Sequence, residues 1–317
     1  MRAIGWASVV VGVVMGCAAP SGGEVEGGGK SNAPVDEAHP KAGVSRKVTH
    51  RMKGAPPPKV SSAADGRGAE GTYGIPIEYN GGYVMNAGVN IYLIWYGNWN
   101  GWKATTIIPE FIKGLSGSPY YNINTTYSDS HGRRVGNEIN LVKEVTDDYS
   151  QGTYLSDVSA VVSDAVTSGK LPADVHGLYF VLGSDDVSEG GFCNGYCGYH
   201  SSTLVNDTYL KYSFVGNPAQ CPYGCEPQQG TSPNGSPSAD GMASIIAHEL
   251  EETTSDPYAD AWFDANGEEN GDKCAWTFGA EYTTGNGTRA NMQLGGRDFL
   301  IQQNWVNDGS GYCALKY

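Results

Sequence analysis

The stretch Ile91-Tyr92-Leu93-Ile94-Trp95-Tyr96-Gly97-Asn98 decides the fold class. Six β-branched, aliphatic and aromatic residues closed by a Gly-Asn turn predict a mostly buried strand. Behind it, residues 105–115 set Ile107, Ile108, Phe111, Ile112 and Leu115 on one apolar helical face, with Pro109 in the first turns, where a missing amide proton is tolerated. Residues 120–127 alternate like a strand. Residues 155–168 return to helical spacing through Val158, Val161, Val162 and Val166, capped by Ser156 and stopped by Gly169. Strands at 177–182 and 210–215 follow. Strands interleaved with helices predict an α/β or α+β fold, a mixed sheet with packed helices in a single disulfide-braced domain over residues 72–317.

Outward from this core, the N-terminus reads as export machinery. Arg2 precedes an apolar run over residues 4–15, too short to span a bilayer but suited to a secretory signal. The run ends Val14-Met15-Gly16-Cys17, which resembles a bacterial lipoprotein processing site. Residues 1–17 are therefore expected to be a leader, with Cys17 as the lipidated first residue; cleavage after Ala18 or Ala19 would instead release a soluble protein. Residues 18–71, rich in Gly, Pro, Ser, Ala and Lys, bury too little apolar area to offset their ordering entropy and read as a disordered tether. The expected location is extracellular or the bacterial cell envelope, with membrane contact only through Cys17.

The chain carries 20 Lys+Arg against 34 Asp+Glu, a net charge of -14. That acidity belongs to the domain and disfavours a nucleic-acid partner. Six further cysteines in an exported chain predict disulfides, and fifteen pairings are open. Local pairing gives Cys193 with Cys197, Cys221 with Cys225 and Cys274 with Cys313; a four-thiolate zinc site from the first four is the rival.

The chemistry concentrates in residues 241–257, which read as a helix with Asp240 at its start and Pro257 barring continuation. His248 and Glu252, four apart, share a face. His248-Glu249-x-x-Glu252 resembles the zincin helix H-E-x-x-H with a carboxylate in place of the second imidazole. Zn2+ accepts such donors, so Glu249 is expected to be the catalytic base for metal-bound water, and Glu251 a solvated residue on the other face. The third metal ligand is expected from the acidic loop at residues 262–274: Asp272 first, Glu269 second, with Asp256 as a nearer candidate. Asp264-x-Asn266-Gly267-Glu268 in the same loop offers oxygens for structural Ca2+. His200 could be drawn near the helix by a disulfide, whereas His131 reads as a turn residue and His176 as a strand boundary. Neither a G-x-S-x-G elbow nor a Walker A or dinucleotide fingerprint occurs.

Four blocks in order, residues 91–97, 191–200 (Gly-Phe-Cys-Asn-Gly-Tyr-Cys-Gly-Tyr-His), 212–222 (Tyr-Ser-Phe-Val-Gly-Asn-Pro-Ala-Gln-Cys-Pro) and 234–242, resemble the EXORDIUM-like, phosphate-induced protein family of plants over roughly residues 88 to 317. The resemblance implies export and a stable extracellular domain, and it supplies no catalyst. The His248-Glu249-x-x-Glu252 combination reads as a departure from the plant pattern. Together these readings predict an exported zinc metallopeptidase-like hydrolase with a peptide or protein substrate; the alternative is a noncatalytic module that binds a cell-wall component or another protein.

Overall fold

The computed structural model describes residues 50–51, 75–309 and 311–317. The leader, Cys17 and nearly all of the expected tether, including His39, lie outside them. The strand β1 (His50–Arg51) falls within the stretch read as tether. No helix among the described residues is long and apolar enough to cross a membrane.

The fold is mixed α/β. β2 (Val89–Tyr96) is the central strand, with seven of its eight residues buried. It leads into α1 (Ala104–Leu115), whose expected apolar face is buried, Phe111 meeting Phe299 with ring centroids 4.9 Å apart. Pro109 is the sixth helical residue and deprives only the exposed Thr105 carbonyl of its bond. β3 (Ile139–Asp147), α2 (Val158–Thr167), β4 (Gly177–Gly183), β5 (Gly198–Val205) and β6 (Thr208–Val215) follow. Asp157, rather than Ser156, caps α2, accepting from the Ser159 amide at 3.0 Å. Residues 120–127 form no strand: Tyr121–Thr126 is a 3-10 helix, because Thr125 and Thr126 hydroxyls donate back to the Asn122 and Ile123 carbonyls and Ser118 takes the Tyr121 amide.

The six-stranded sheet runs β1-β5-β6-β4-β2-β3. β6, β4, β2 and β3 are parallel; β5 is antiparallel to β6, and β1 to β5. β3 and β4 flank β2 on opposite sides, so two right-handed crossovers set α1 and α2 on opposite faces. The first turn of β5 pairing, Gly198 with Val215, places Gly198 and His200 toward the carboxyl ends of the parallel strands. There α3 (Pro237–Ser255) crosses β5 and β6 on the α1 side.

Helix α3 is unusual in being polar yet buried along nearly its whole length. It starts four residues earlier than the sequence suggests. Asp240 is therefore in its first turn, where it accepts from the Asn234 amide instead of capping. Thr253, Thr254 and Ser255 satisfy their hydroxyls on carbonyls one turn back, which lets a polar segment be enclosed. After α3 the chain makes short hairpins, the last formed by β7 (Asn304–Val306) and β8 (Tyr312–Ala314).

Three disulfides brace the domain. Cys274–Cys313 is as expected, but the other two are Cys193–Cys221 and Cys197–Cys225. Cys221 and Cys225 lie one turn apart across Pro222–Cys225, so both sulfurs face the same way and meet the matching pair on the 193–197 loop. Two parallel bridges replace two local ones, and no thiolate remains for the four-cysteine zinc site.

Candidate metal centre

The centre forms where three pieces of chain converge on α3: His200 from β5, the 269–272 loop, and Gln302 just before β7. His200 faces α3 because it shares the Gly198 side of the pleat. A Cβ at Gly198 would sit 2.6 Å from Ile245 Cγ2 and 3.1 Å from Glu249 Oε1, so the bare backbone is what lets β5 approach. Gly271 does the same on the other flank: a Cβ there would lie 2.9 Å from both His248 Nδ1 and Glu252 Oε1.

Around Glu252 the donors fall into two sets. His248 Nε2 lies 3.0 Å from Glu252 Oε1 and 3.7 Å from Asp272 Oδ1. His200 Nδ1 lies 3.5 Å from Glu252 Oε2 and 3.6 Å from Glu249 Oε2, and its Nε2 is 3.7 Å from Glu269 Oε2. Both sets, His248/Glu252/Asp272 and His200/Glu249/Glu252, are grouped tightly enough to coordinate a metal ion. His248 Nδ1 is 2.7 Å from Gln302 Nε2, and the Asp272 amide donates to Glu252 Oε1 at 3.0 Å.

Charge is tightly constrained here. Burial alone would depress both imidazoles, yet the Glu249 and Glu252 carboxylates push His200, and Glu252 foremost pushes His248, up to about 10. Burial likewise favours neutral Glu252, but His248 and His200 hold its carboxyl well below the usual range. Burial pushes Glu249 up to about 7, and Glu251 and Glu269 well above the ordinary carboxylate value.

Of the residues singled out from sequence, His248, Glu249, Glu252, Glu269 and Asp272 come together. Asp256 does not join them as a ligand: its Oδ1 closes the turn after α3, accepting from the Asp260 and Ala261 amides at 2.7 Å. Glu251 is not solvated but buried, and accepts from Asn304 Nδ2. Asp264 forms no calcium cage. Its carboxylate takes the Lys273 ammonium at 2.8 Å and the Asn266 and Glu268 amides, so a cation already occupies that position. His200 and Gln302 are the partners that sequence undervalued. The Gly191–His200 block pointed at the first; only the amide run Gln302-Gln303-Asn304 amid apolar residues hints at the second.

The conserved region of phosphate-induced protein 1 matches residues 77–301. The chain belongs to this family. Among its relatives, protein EXORDIUM-like 5 of Arabidopsis thaliana is 31% identical over 294 residues, covering 78% of this chain and 80% of that one. EXORDIUM-like 3 of the same plant is 34% identical over 220 residues, 60% of this chain and 64% of its own. PHOSPHATE-INDUCED 1 of Nicotiana tabacum is 25% identical over 215 residues, 59% and 67% of the two chains. No solved structure matches significantly. Likeness to EXORDIUM-like proteins supports an extracellular location in general terms.

Membership of the phosphate-induced protein family, which is not one of metallopeptidases, overturns the zinc hydrolase expectation. The geometry gives the physical reason. A hydrolytic metal needs an open coordination position and a cleft for substrate. His248, Glu249, Glu252 and Glu269 are 0% exposed and His200 1%, so these side chains offer almost no surface to a substrate.

Proposed function

We propose that this EXORDIUM-like chain is a noncatalytic extracellular interaction module whose buried centre holds the domain together. The observation that carries this reading is enclosure: the side chains able to do chemistry are sealed by β5, the 269–272 loop and Gln302, with Asp272, 16% exposed at its side chain, the most open of them. In this reading a divalent cation at His248, Glu252 and Asp272 acts as a brace, joining α3 to the loop behind it, with burial rather than ligand number keeping substrate from its remaining positions. Glu269 and Asp256 stay outside that ligand set.

Binding then falls to the outer surface. Tyr223 is 85% exposed on the single turn Pro222–Cys225, which two disulfides hold rigid, and Tyr154, 59% exposed, stands beside the adjoining loop at Gly190. Rigid exposed rings suit stacking on a wall carbohydrate at low entropic cost. Lipid anchorage at Cys17, with the residues between it and β1 as tether, would hold such a module at a bacterial envelope.

Co-sedimentation with insoluble wall polysaccharide tests the reading, alongside a peptide-hydrolysis assay. Wild type should pellet with the polysaccharide, Tyr223→Ala should pellet several-fold less, and Glu249→Gln should bind like wild type. Peptide turnover that vanishes in Glu249→Gln would overturn the noncatalytic reading.

A further inference from the structure

Glu252 stands between two imidazoles and shows one oxygen to each. Its Oε1 belongs with His248 and Asp272, its Oε2 with His200 and Glu249. We propose that this carboxylate bridges a pair of divalent cations, the second held by His200 Nδ1, Glu249 and Glu252 Oε2. The inference rests on the reading above that a first ion lies at His248, Glu252 and Asp272, and extends it to a dinuclear centre.

Distances carry the argument first. His200 Nδ1 stands 3.5 and 3.6 Å from the two carboxylates, beyond a normal charge-assisted hydrogen bond of roughly 2.7–2.9 Å. Two donors sharing one ion through bonds of about 2.0–2.2 Å in tetrahedral geometry lie roughly 3.4 Å apart. The spacing between His200 and the two carboxylates it pairs with matches that of ligands sharing one ion.

Glu249 supplies an independent observation. It is 0% exposed, and neither of its oxygens has a hydrogen-bond partner, nor does Glu252 Oε2. Leaving a buried carboxylate without donors is among the costliest arrangements in a protein interior. Both side chains point at the His200 nitrogen, and an ion there would satisfy these carboxylate oxygens at once.

The outer contacts complete the pattern. A metal-bound imidazole usually gives its second nitrogen to an outer partner that fixes ring orientation. His200 turns its Nε2 toward the Glu269 carboxylate, 3.7 Å away. His200 thus keeps Nδ1 for an ion and faces a positioning residue with Nε2. Two carboxylates per imidazole suit a hard-to-borderline divalent cation such as Mn2+.

The test is titration of the metal-stripped full-length protein with Mn2+ by equilibrium dialysis, with electron paramagnetic resonance on the loaded sample. Two equivalents per chain and a spin-coupled spectrum are expected. Glu249→Gln, close to isosteric and so least apt to disturb folding, should bind one equivalent and give an uncoupled spectrum, as should His200→Ala if circular dichroism shows it folded. Glu269→Gln should keep both ions while weakening the second at least tenfold. One equivalent in wild type would overturn the bridged pair and leave the single-ion brace standing; no binding would overturn both, the imidazoles then serving as ion-pair partners only.

Discussion

Lys211, on β6, has no exposed surface, donates to the Val175 carbonyl and lies 5.8 Å from the Tyr258 ring centroid. Burial pulls its ammonium down to about 8, from an ordinary 10.5. The folded state thus sheds this proton more readily than the unfolded chain, and the penalty for carrying it is complete below pH 8. Stability should therefore rise relative to Lys211→Met between about pH 8 and 10.5, by up to roughly 3 kcal/mol; urea midpoints at pH 7.5 and 9.5 for both proteins measure it, and parallel midpoints would refute it. A second residue-level expectation concerns Asn304, which donates to the buried Glu251 carboxylate. Asn304→Leu strips that group of its donor and should cost about 1–3 kcal/mol in thermal or urea unfolding. Individual residues were the least legible level from sequence. His200 and Asn304 matter through partners about 50 positions away, and Glu251 seemed solvated because helical spacing reports which residues share a face, not what covers that face.

At the level of elements, the loop after α3 depends on a buried pair. Lys273 and Asp264, 2.8 Å apart, are each at most 1% exposed at the side chain, and the ammonium also lies 5.6 Å from the Trp305 ring centroid. Asp264→Ala leaves a charge enclosed without its counterpart and should destabilise by about 3–5 kcal/mol, whereas the double variant Asp264→Ala/Lys273→Met should recover much of the loss. A double-mutant cycle in urea decides this; strictly additive losses would mean the two groups act separately. β2, α1, α2, β4 and β6 were readable because apolar residues repeat at the period of the element. β3 was not, since this edge strand exposes most of its residues, and β5 hid behind a cysteine-rich loop. The start of α3 was misplaced for a related reason: a helix covered on all sides carries no amphipathic edge by which to mark where it begins.

For the molecule as a whole, the two bridges Cys193–Cys221 and Cys197–Cys225 span equal separations of 28 residues and close nearly the same loop. Once one is present, the other restricts the unfolded chain little further. Removing either alone should cost under about 1 kcal/mol, and removing both about 3 kcal/mol, by the loop-entropy argument. Unfolding of the Cys221→Ser/Cys193→Ser protein, of its counterpart and of the quadruple variant measures the difference; equal steps would reject the redundancy. The sequence limited the cysteines to a disulfide set but not to this pairing, because parallel bridging depends on two loops meeting in space.

The enclosure of α3 also sets an order of events during synthesis. A helix rich in Ser, Thr and Glu gains little by forming alone, and the segments that cover it, Asn270, Gln302 and β7, are translated after it. Such long-range closure delays folding until residues 302–306 have emerged. A ribosome stalled before Asn304, or a protease cutting ahead of it, would therefore not yield a smaller domain. It would yield a chain whose middle has nowhere to hide its carboxylates, a natural substrate for quality control.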